Sequence, residues 1–334
     1  MPLSAPDSHP RDAPGSSGAG AGARPRLAWP LRPLLHLALL RGLRAPRLAH
    51  DPPISQLARL TRHTDRLESL RLRGPRGQSL AAWLLTPRAS RPARGLPAAG
   101  LPAVLMMHGW GANASTLWPA VDPLLAAGFA VMLLDASCHG DSGDEAFTSL
   151  PRFAEDIAAG LQAMCAHPDV DRDRIALLGH SVGAGAVLLY AARSSGSTSA
   201  GPCPVRAVVS LSAFAHPAEM MQRWMAEHRI PRRLVGNAIL AHVQEVIGER
   251  FERIAPVNTI AALSCPVLLV HGRYDATVPL ADALRLRKAQ PSAELLVVDA
   301  DHDLRAALAP QGARIVAFLE RALEPRGIVA PARP

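Results

Sequence analysis

Between Ala103 and Leu323 the sequence alternates short apolar runs with longer helical patterns. Most of the apolar runs are continuous, which is typical of strands that are buried on both faces of a parallel sheet. The predicted strands are Ala103–Met107, Ala130–Leu134, Arg174–Leu178, Arg206–Leu211, Val267–Val270 and Glu294–Val298. The predicted helices are Ser115–Ala127, Leu150–His167, Val182–Arg193, Ala281–Lys288 and Leu304–Leu323. This order implies right-handed β-α-β units, and it predicts an α/β protein with a doubly wound, mostly parallel sheet.

Two further segments extend this domain. Leu67–Leu72 and Ser79–Leu85 flank glycine-containing turn residues, which predicts a β-hairpin ahead of the parallel strands, so the domain is expected to span residues 64–325. About fifty residues separate two consecutive predicted strands near residues 213–262, which is too long for a simple connection. Helical patterns at Glu219–Glu227 and Arg233–Ile247 therefore predict an inserted helical cap.

The two ends of the chain have a different composition. Residues 1–63 read as an Arg-rich extension, and residues 1–26, which are rich in Pro, Gly, Ser and Ala, are expected to be disordered. Residues 27–50 contain Arg and Leu but no acidic residue, so they could form an amphipathic surface helix, part of a targeting segment, or an arm that packs on the domain. Residues 326–334 are expected to form a disordered tail.

The positive charge is confined to the first part of the chain. The formal net charge is +8, but residues 1–100 carry sixteen Arg against five acidic residues, so the rest of the chain is slightly acidic. A nucleic-acid partner is therefore not expected. The sequence has no run of eighteen apolar residues, so no integral membrane segment is expected either. Nothing in the sequence indicates an oligomeric state.

The four cysteines show no metal-binding or redox spacing. Cys138, Cys165, Cys203 and Cys265 contain no C-x-x-C pair, and four cysteines in 334 residues do not suggest a disulfide framework. We therefore expect free thiols in a reducing compartment, which favours a cytoplasmic location. The sequence has no phosphate-binding loop, metal cluster or dinucleotide-binding glycine motif, so no cofactor and no metal are expected.

A candidate nucleophile stands between a predicted strand and a predicted helix. Gly179-His180-Ser181-Val182-Gly183 directly follows an apolar strand and directly precedes a helical run. A serine on such a sharp turn needs small neighbours, because the strand and the helix approach each other closely. The amino end of the helix favours the negative charge that develops during attack. We therefore predict Ser181 as an acyl-accepting nucleophile.

The loop after the first parallel strand is expected to supply one of the two backbone donors of an oxyanion hole. A tetrahedral intermediate needs two backbone donors, one from the residue after the nucleophile and one from an earlier strand-to-helix loop. Val182 provides the first amide. In His108-Gly109-Trp110-Gly111 we select the amide of Trp110 as the second.

The general base and its acid are predicted from their order in the chain. His302 follows the last predicted strand, and Asp275 lies in the loop after the strand before it, which gives the order Ser, Asp, His. His271 is a rival base, but it ends a strand and is expected to pack under a turn. Asp301 and Asp303 adjoin the base, and neighbours in sequence seldom point at the same ring.

Four phrases together resemble the α/β-hydrolase superfamily, in its esterase, dienelactone-hydrolase-like and serine-peptidase-like branches. They are HGWGAN from His108, LDASCHGDSG from Leu134, GHSVGAG from Gly179 and VHGRYDATVP from Val270. The resemblance covers residues 64–325 and implies the α/β-hydrolase fold, with Asp275 in the acid loop. In many relatives an arginine precedes the His-Gly of the second phrase. Ser137-Cys138 stands there in this sequence, so an anchoring arginine contact is expected to be missing.

The implied activity is acyl transfer to Ser181 and then to water, with a small-molecule acyl substrate. The leading interpretation is a carboxylic ester hydrolase, and a peptidase, an amidase or a thioesterase would use the same triad. A non-catalytic binding protein on a hydrolase scaffold is the alternative outside enzymes. The expected substrate-contacting residues are His108, Gly109, His180, Met221 and Trp224. The apolar stripe that contains the last two could equally be packing between the cap and the core.

Overall fold

The computed structural model describes residues 32–88, 100–195, 201–231 and 235–324. The predicted disorder of residues 1–26 and of the tail at residues 326–334 lies outside the described residues, and so does Arg233 at the start of one predicted helix. Within the described part of the chain, no helix is both long and apolar enough to cross a membrane.

Eight strands form one sheet with the order β1-β2-β4-β3-β5-β6-β7-β8. They are β1 (Thr64–Arg73), β2 (Ser79–Pro87), β3 (Leu101–Met107), β4 (Ala130–Leu134), β5 (Val170–His180), β6 (Val205–Leu211), β7 (Val267–Gly272) and β8 (Glu294–Val298). β1 pairs antiparallel with β2, and β2 pairs antiparallel with β4. All other neighbouring pairs are parallel, which confirms the predicted doubly wound sheet.

Helices cover both faces of the sheet. Successive residues of a strand point to opposite faces, so on β3 Leu105 and Met107 pack in one apolar cluster and Val104 and Met106 in the other. The first cluster includes α4 (Leu150–Ala166), α5 (Val182–Ser195) and α10 (Leu280–Ala289). The second includes α3 (Trp118–Ala126), α11 (Arg305–Leu308) and α12 (Gly312–Leu323). Burial on both faces explains the continuous apolar runs of the central strands.

The long connection between β6 and β7 is helical, as expected. It contains α6 (Pro217–Glu227), α7 (Asn237–Ile247), α8 (Phe251–Ile254) and α9 (Pro256–Thr259). Buried side chains of α6, α7 and α8 join the same cluster as α4 and α5; they are Met225, Leu240, Val243, Phe251 and Ile254. The insertion is therefore anchored on this face of the domain by apolar contacts.

The Arg-rich extension is not wholly disordered. Within it the structure has two helices, α1 (Arg32–Gly42) and α2 (Ile54–Leu60), joined by an extended segment. Ala45, Ile54 and Leu57 are buried, so apolar contacts order this part of the chain. The role of residues 27–50 stays a prediction, because these contacts describe only part of that segment.

One predicted helix is interrupted. The pattern over Leu304–Leu323 predicts a single helix, whereas α11 ends at Leu308 and α12 begins at Gly312. Pro310 lies in the gap, and a proline inside a helix has no N–H to donate and collides with the preceding turn. The apolar periodicity continues across the gap because both helices pack on the same face of the sheet.

The prediction of four free thiols is wrong for two of them. Cys165 in α4 forms a disulfide with Cys203, which lies just before β6, across 38 positions of the sequence. Cys138 and Cys265 are free. The sequence offered no local signal for this pair, because only the packing of α4 beside the sheet brings the two cysteines together. The expectation of a reducing compartment rested on free thiols and loses that basis.

Replacing both Cys165 and Cys203 by serine should destabilise the oxidised protein. A cross-link that closes a loop of 38 residues restricts the unfolded chain, and its removal costs up to about 4 kcal/mol of unfolding free energy. Urea unfolding with and without reductant measures this loss. The wild type in reductant should approach the double variant, and Cys265→Ser should keep the dependence on reductant. Equal midpoints for the oxidised wild type and the double variant would contradict the cross-link.

Candidate active site

Ser181 occupies a strained turn between β5 and α5. Its φ is 54°, in the left-handed region that residues with a Cβ rarely adopt. A Cβ placed on Gly183 would lie 2.3 Å from the carbonyl oxygens of Met107 and His108, and one on Gly179 would lie 2.3 Å from the carbonyl oxygen of Gly183. Both glycines are therefore required by backbone packing. The Ser181 N–H donates to the carbonyl of Leu211 at 2.8 Å, which ties the turn to β6.

A chain of two hydrogen bonds joins the three predicted catalytic side chains. Ser181 Oγ lies 3.0 Å from His302 Nε2. His302 Nδ1 donates to Asp275 Oδ2 at 2.8 Å. The bond to Asp275 fixes the tautomer in which Nε2 is free to accept the serine proton. The structure thus brings together residues from the loops after β5, β7 and β8.

The environment of Asp275 favours its charged form. Burial raises the pKa of this carboxyl, but hydrogen bonds from His302 and from the amide of Val278 outweigh it, so the pKa is lowered overall. The Val278 N–H donates to Asp275 Oδ1 at 2.7 Å. A fixed negative charge beside Nδ1 stabilises the imidazolium that forms when His302 accepts a proton.

The rival residues are engaged elsewhere. His271 is buried, and its Nε2 donates to the carbonyl of Val278 at 2.8 Å, so it packs under the acid loop as expected. Asp301 accepts from the backbone N–H of Asp303, and Asp303 pairs with Arg305. Both acids that adjoin the base thus lie in the surface turn that carries it.

The oxyanion loop (residues 108–114) approaches the nucleophile through Gly109. A Cβ on this glycine would lie 3.2 Å from Ser181 Cβ, so the backbone at Gly109 passes close to Ser181. The carbonyl of Gly109 points into the protein, where it accepts from His108 Nδ1 at 2.7 Å. In a planar trans peptide the next N–H points the opposite way, which turns the Trp110 N–H out of the interior. Val182 begins α5, where backbone N–H groups have no partner within the helix.

His108 supports this loop from beneath and does not face a substrate. Its side chain is fully buried, and its Nε2 accepts from the backbone N–H of Ala136 at 3.0 Å. Burial, followed by the neighbouring His139, lowers the pKa of His108 to about 3, so the ring is neutral with its proton on Nδ1. Because the His108 side chain is fully buried and both of its ring nitrogens bind backbone groups, the expectation that it contacts a substrate is wrong.

His180 also binds a backbone group, and its predicted contact with a substrate stays a prediction. Its Nε2 donates to the carbonyl oxygen of His302 at 2.8 Å. Burial lowers the pKa of His180 to about 4, which keeps this ring neutral as well. His180 therefore anchors the loop that carries His302.

The two residues predicted on α6 have different surroundings. Met221 packs at the edge of the apolar cluster that includes α4 and α5. Trp224 exposes 50% of its surface and stacks on His228, with ring centroids 4.2 Å apart. Trp224 therefore belongs to the outer surface of the cap. The sequence could not show this, because helical spacing groups residues on one face of a helix without telling which face packs on the core.

The β4 loop (residues 135–143) has an arginine contact from another segment. Arg47, which lies between α1 and α2, donates from Nη1 to the carbonyls of Gly140 and Ser142, each at 2.6 Å. Ser137, at the place where relatives carry arginine, donates to the buried Asp156 at 2.9 Å. The expectation that the loop lacks an arginine contact is therefore wrong, because Arg47 provides one. At position 137 itself there is no arginine, as the sequence shows.

A buried pair that was not predicted from the sequence lies at the base of this loop. His50 Nε2 lies 3.0 Å from Asp135 Oδ2, and the His50 side chain is 6% exposed. Burial lowers the pKa of His50, but the hydrogen bond and charge of Asp135 outweigh it and raise the pKa overall. No pattern around His50 marks it, since its partner stands 85 positions away. Within the described residues, no group of three His, Cys, Asp or Glu side chains could hold a metal ion.

Comparison with known proteins agrees with this architecture. The profile of the Alpha/beta hydrolase family matches residues 104–327, which is more than half of the chain. The chain belongs to the alpha/beta hydrolase family. As a member of it, the protein is a hydrolase.

Two characterised relatives are similar to this hydrolase in sequence. The pimeloyl-acyl-carrier-protein methyl ester esterase of Aromatoleum aromaticum is 29% identical over 230 residues, which is 59% of this chain and 89% of that protein. The monoacylglycerol lipase of Mycolicibacterium smegmatis is 28% identical over 208 residues, which is 53% of this chain and 71% of the lipase.

Solved structures share the fold. An esterase of Pyrococcus furiosus superposes with a TM-score of 0.61 at 19% identity, covering 84% of this chain and 97% of that one. A Butyrivibrio proteoclasticus protein, Est1E, with bound ferulic acid gives a TM-score of 0.57 at 19% identity, covering 75% and 98% of the two chains.

The neutral His108 should make the stability of this hydrolase fall on acidification. Its pKa is 6.5 in an unfolded chain and about 3 in the folded protein, so between these values the unfolded state binds one more proton. The unfolding free energy then falls by about 1.4 kcal/mol per pH unit for this group as the pH decreases. His108→Gln should be less stable at neutral pH but should show a shallower slope.

Urea unfolding between pH 6.5 and pH 4 measures both slopes. His228→Gln, which replaces an exposed histidine, is the matched control and should keep the wild-type slope. Equal slopes for the wild type and His108→Gln would contradict a neutral buried ring.

Proposed function

We propose that this hydrolase cleaves carboxylic esters through an acyl-enzyme on Ser181. The observation that carries the proposal is the continuous hydrogen-bonded chain from Ser181 Oγ through His302 to the buried Asp275. A serine hydroxyl is a weak nucleophile at neutral pH, and a base within hydrogen-bond reach activates it. In this proposal His302 is that base, and Asp275 holds its orientation.

In the proposed first half-reaction, His302 Nε2 takes the proton of Ser181 as its oxygen attacks the ester carbonyl. The amides of Trp110 and Val182 stabilise the oxyanion of the tetrahedral intermediate. The imidazolium, stabilised by Asp275, then protonates the leaving alcohol, and the acyl group stays on Ser181. In the second half-reaction, His302 takes a proton from a water molecule as that water attacks the acyl-enzyme. It then returns the proton to Ser181 Oγ as the acid is released, which restores both residues.

The names of the relatives support an ester substrate. The two characterised relatives are called a methyl ester esterase and a lipase, and the Pyrococcus furiosus neighbour is called an esterase. A relative from Pseudomonas putida, 24% identical, is called a 2-hydroxy-6-oxononadienedioate/2-hydroxy-6-oxononatrienedioate hydrolase, a name that contains no ester and adds nothing to this support. We infer a small-molecule carboxylic ester as the substrate, with thioester and amide leaving groups as the alternatives that the experiments below separate.

Replacing Ser181 by alanine should abolish both activity and labelling. Loss of the nucleophile lowers kcat by about 10⁴-fold or more in enzymes that use such a triad. The measurements are hydrolysis of 4-nitrophenyl acetate and labelling by a fluorophosphonate, which reacts with activated serines. Ser292→Ala, which replaces an exposed serine outside the site, is the control and should label as the wild type does. Equal labelling of Ser181→Ala would refute the assignment.

Substrate profiling distinguishes the leaving groups and the acyl length. With one acyl group presented as the nitrophenyl ester, the thioester and the nitroanilide, we expect the highest kcat/KM for the ester. If Trp110 and the apolar stripe of the cap line the acyl pocket, as the sequence predicts, short acyl chains should be preferred over long ones. Faster cleavage of the anilide would overturn the esterase proposal in favour of an amidase, and equal rates at all lengths would argue against a shaped acyl pocket.

A further inference from the structure

A segment ahead of the matched family region contacts both loops beside the nucleophile. This segment, the arm (residues 43–50), runs from the end of α1 toward α2. We propose that the arm positions the oxyanion loop for catalysis, with His50 and Asn113 as the positioning residues that transmit its effect. This inference rests on the proposed function, since it assigns the arm a role in that same site.

The arm contacts the oxyanion loop directly at Asn113. The side-chain amide of Asn113 donates to the carbonyls of Leu48 and Ala49 at 3.1 and 3.0 Å. The other end of the same side chain accepts from the backbone N–H of Ser115 at 3.1 Å, which caps the following 3₁₀ helix. Asn113 therefore joins the end of the loop to the arm. Among the described residues, no other side chain of the loop donates to a carbonyl of the arm.

The second connection runs through a buried carboxylate. Asp135 accepts from His50 on one side, and its Oδ1 accepts from the backbone N–H of Ala114 at 2.8 Å. The Asp135 side chain is fully buried, so its charge needs these donors. Replacing His50 by an apolar residue would leave the carboxylate short of one donor at the point where it holds the oxyanion loop.

The third connection acts through the β4 loop. Arg47 binds the carbonyls of Gly140 and Ser142, as described above, and also pairs with Asp144 at 2.6 Å. His139 of the same loop accepts from the backbone N–H of Gly111 at 3.1 Å. The arm therefore holds the loop that in turn holds the residue after Trp110.

These contacts matter because an oxyanion donor works only when it is already in place. Stabilisation of the developing charge depends on donors fixed at about 2.7–3.1 Å from the oxyanion, and loosely held donors lose most of it. Sheet-side contacts from His108 hold the start of the loop, and the arm holds its end at Asn113 and Ala114. Loss of the arm contacts should therefore lower kcat while substrate binding changes little.

The test uses the full chain with His50→Leu and Asn113→Ser. The first removes the donor to Asp135, and the second keeps a capping oxygen but cannot reach the arm. For 4-nitrophenyl acetate we expect kcat to fall by about 10- to 100-fold in each variant, with KM within about twofold of the wild type. His50→Gln retains an N–H donor to Asp135 and should recover most of the kcat that His50→Leu loses. If His50 only filled space, the glutamine variant would have no advantage over the leucine variant.

A second readout does not depend on turnover. Hydrogen exchange followed by mass spectrometry should show faster exchange in peptides covering residues 108–114 in both variants, by about fivefold or more, and no change around residues 179–184. Leu60→Ala, which replaces an exposed side chain of α2, is the control and should change neither kcat nor exchange. If His50→Leu does not fold, Asn113→Ser carries both readouts, because it leaves the Asp135 pair intact.

The outcomes separate this inference from the proposed function. A wild type that neither hydrolyses esters nor labels with the fluorophosphonate refutes the function, while faster exchange in the variants still supports positioning by the arm. An active wild type whose variants show wild-type kcat and unchanged exchange at residues 108–114 overturns the role of the arm and leaves the function standing.

Discussion

The left-handed backbone at Ser181 is the constraint on which the rest of the site depends. With φ at 54°, the chain reverses from β5 into α5 within one residue, so the hydroxyl stands above the carboxyl edge of the sheet. The reversal fits only because Gly179 and Gly183 have no Cβ to strike the backbone of β3 and of the turn itself. Strain of this kind persists where the surrounding structure holds it, and here β6 and the oxyanion loop do so.

Neutral histidines hold the backbone around this turn. His108 donates to Gly109, and His180 donates to the carbonyl of His302, so each ring fixes one loop of the site. Burial lowers the pKa of both, which keeps one ring nitrogen free of a proton at neutral pH. The rings therefore contribute directional hydrogen bonds without adding a positive charge. For His180, whose ring centroid lies 5.1 Å from that of His302, such a charge would oppose protonation of His302.

The sequence predicted the parts of this molecule that are governed by local pattern. Each of the eight predicted strands is present. The parallel strands are recognisable because strands buried on both faces are continuously apolar, and the hairpin of β1 and β2 is recognisable by its glycine-containing turn. The structure also brings Ser181, Asp275 and His302 together, since each follows a strand and the carboxyl ends of parallel strands meet at one edge. The disulfide between Cys165 and Cys203 and the pair of His50 with Asp135 were not predictable, because partners 38 and 85 positions apart leave no periodic signal.

The antiparallel hairpin of β1 and β2 lies before residue 104, where the family match begins, and β2 pairs with β4 along one side of the sheet. Without this hairpin, β4 would present a row of unpaired backbone groups on a fully apolar strand, which is a template for aggregation. β1 stands at the outer margin instead, and it carries Arg66, Glu68, Arg71 and Arg73. Charged side chains on a terminal strand discourage another chain from adding to it. The hairpin thus covers the apolar edge of the central strands with a strand whose charged side chains oppose pairing with a further chain.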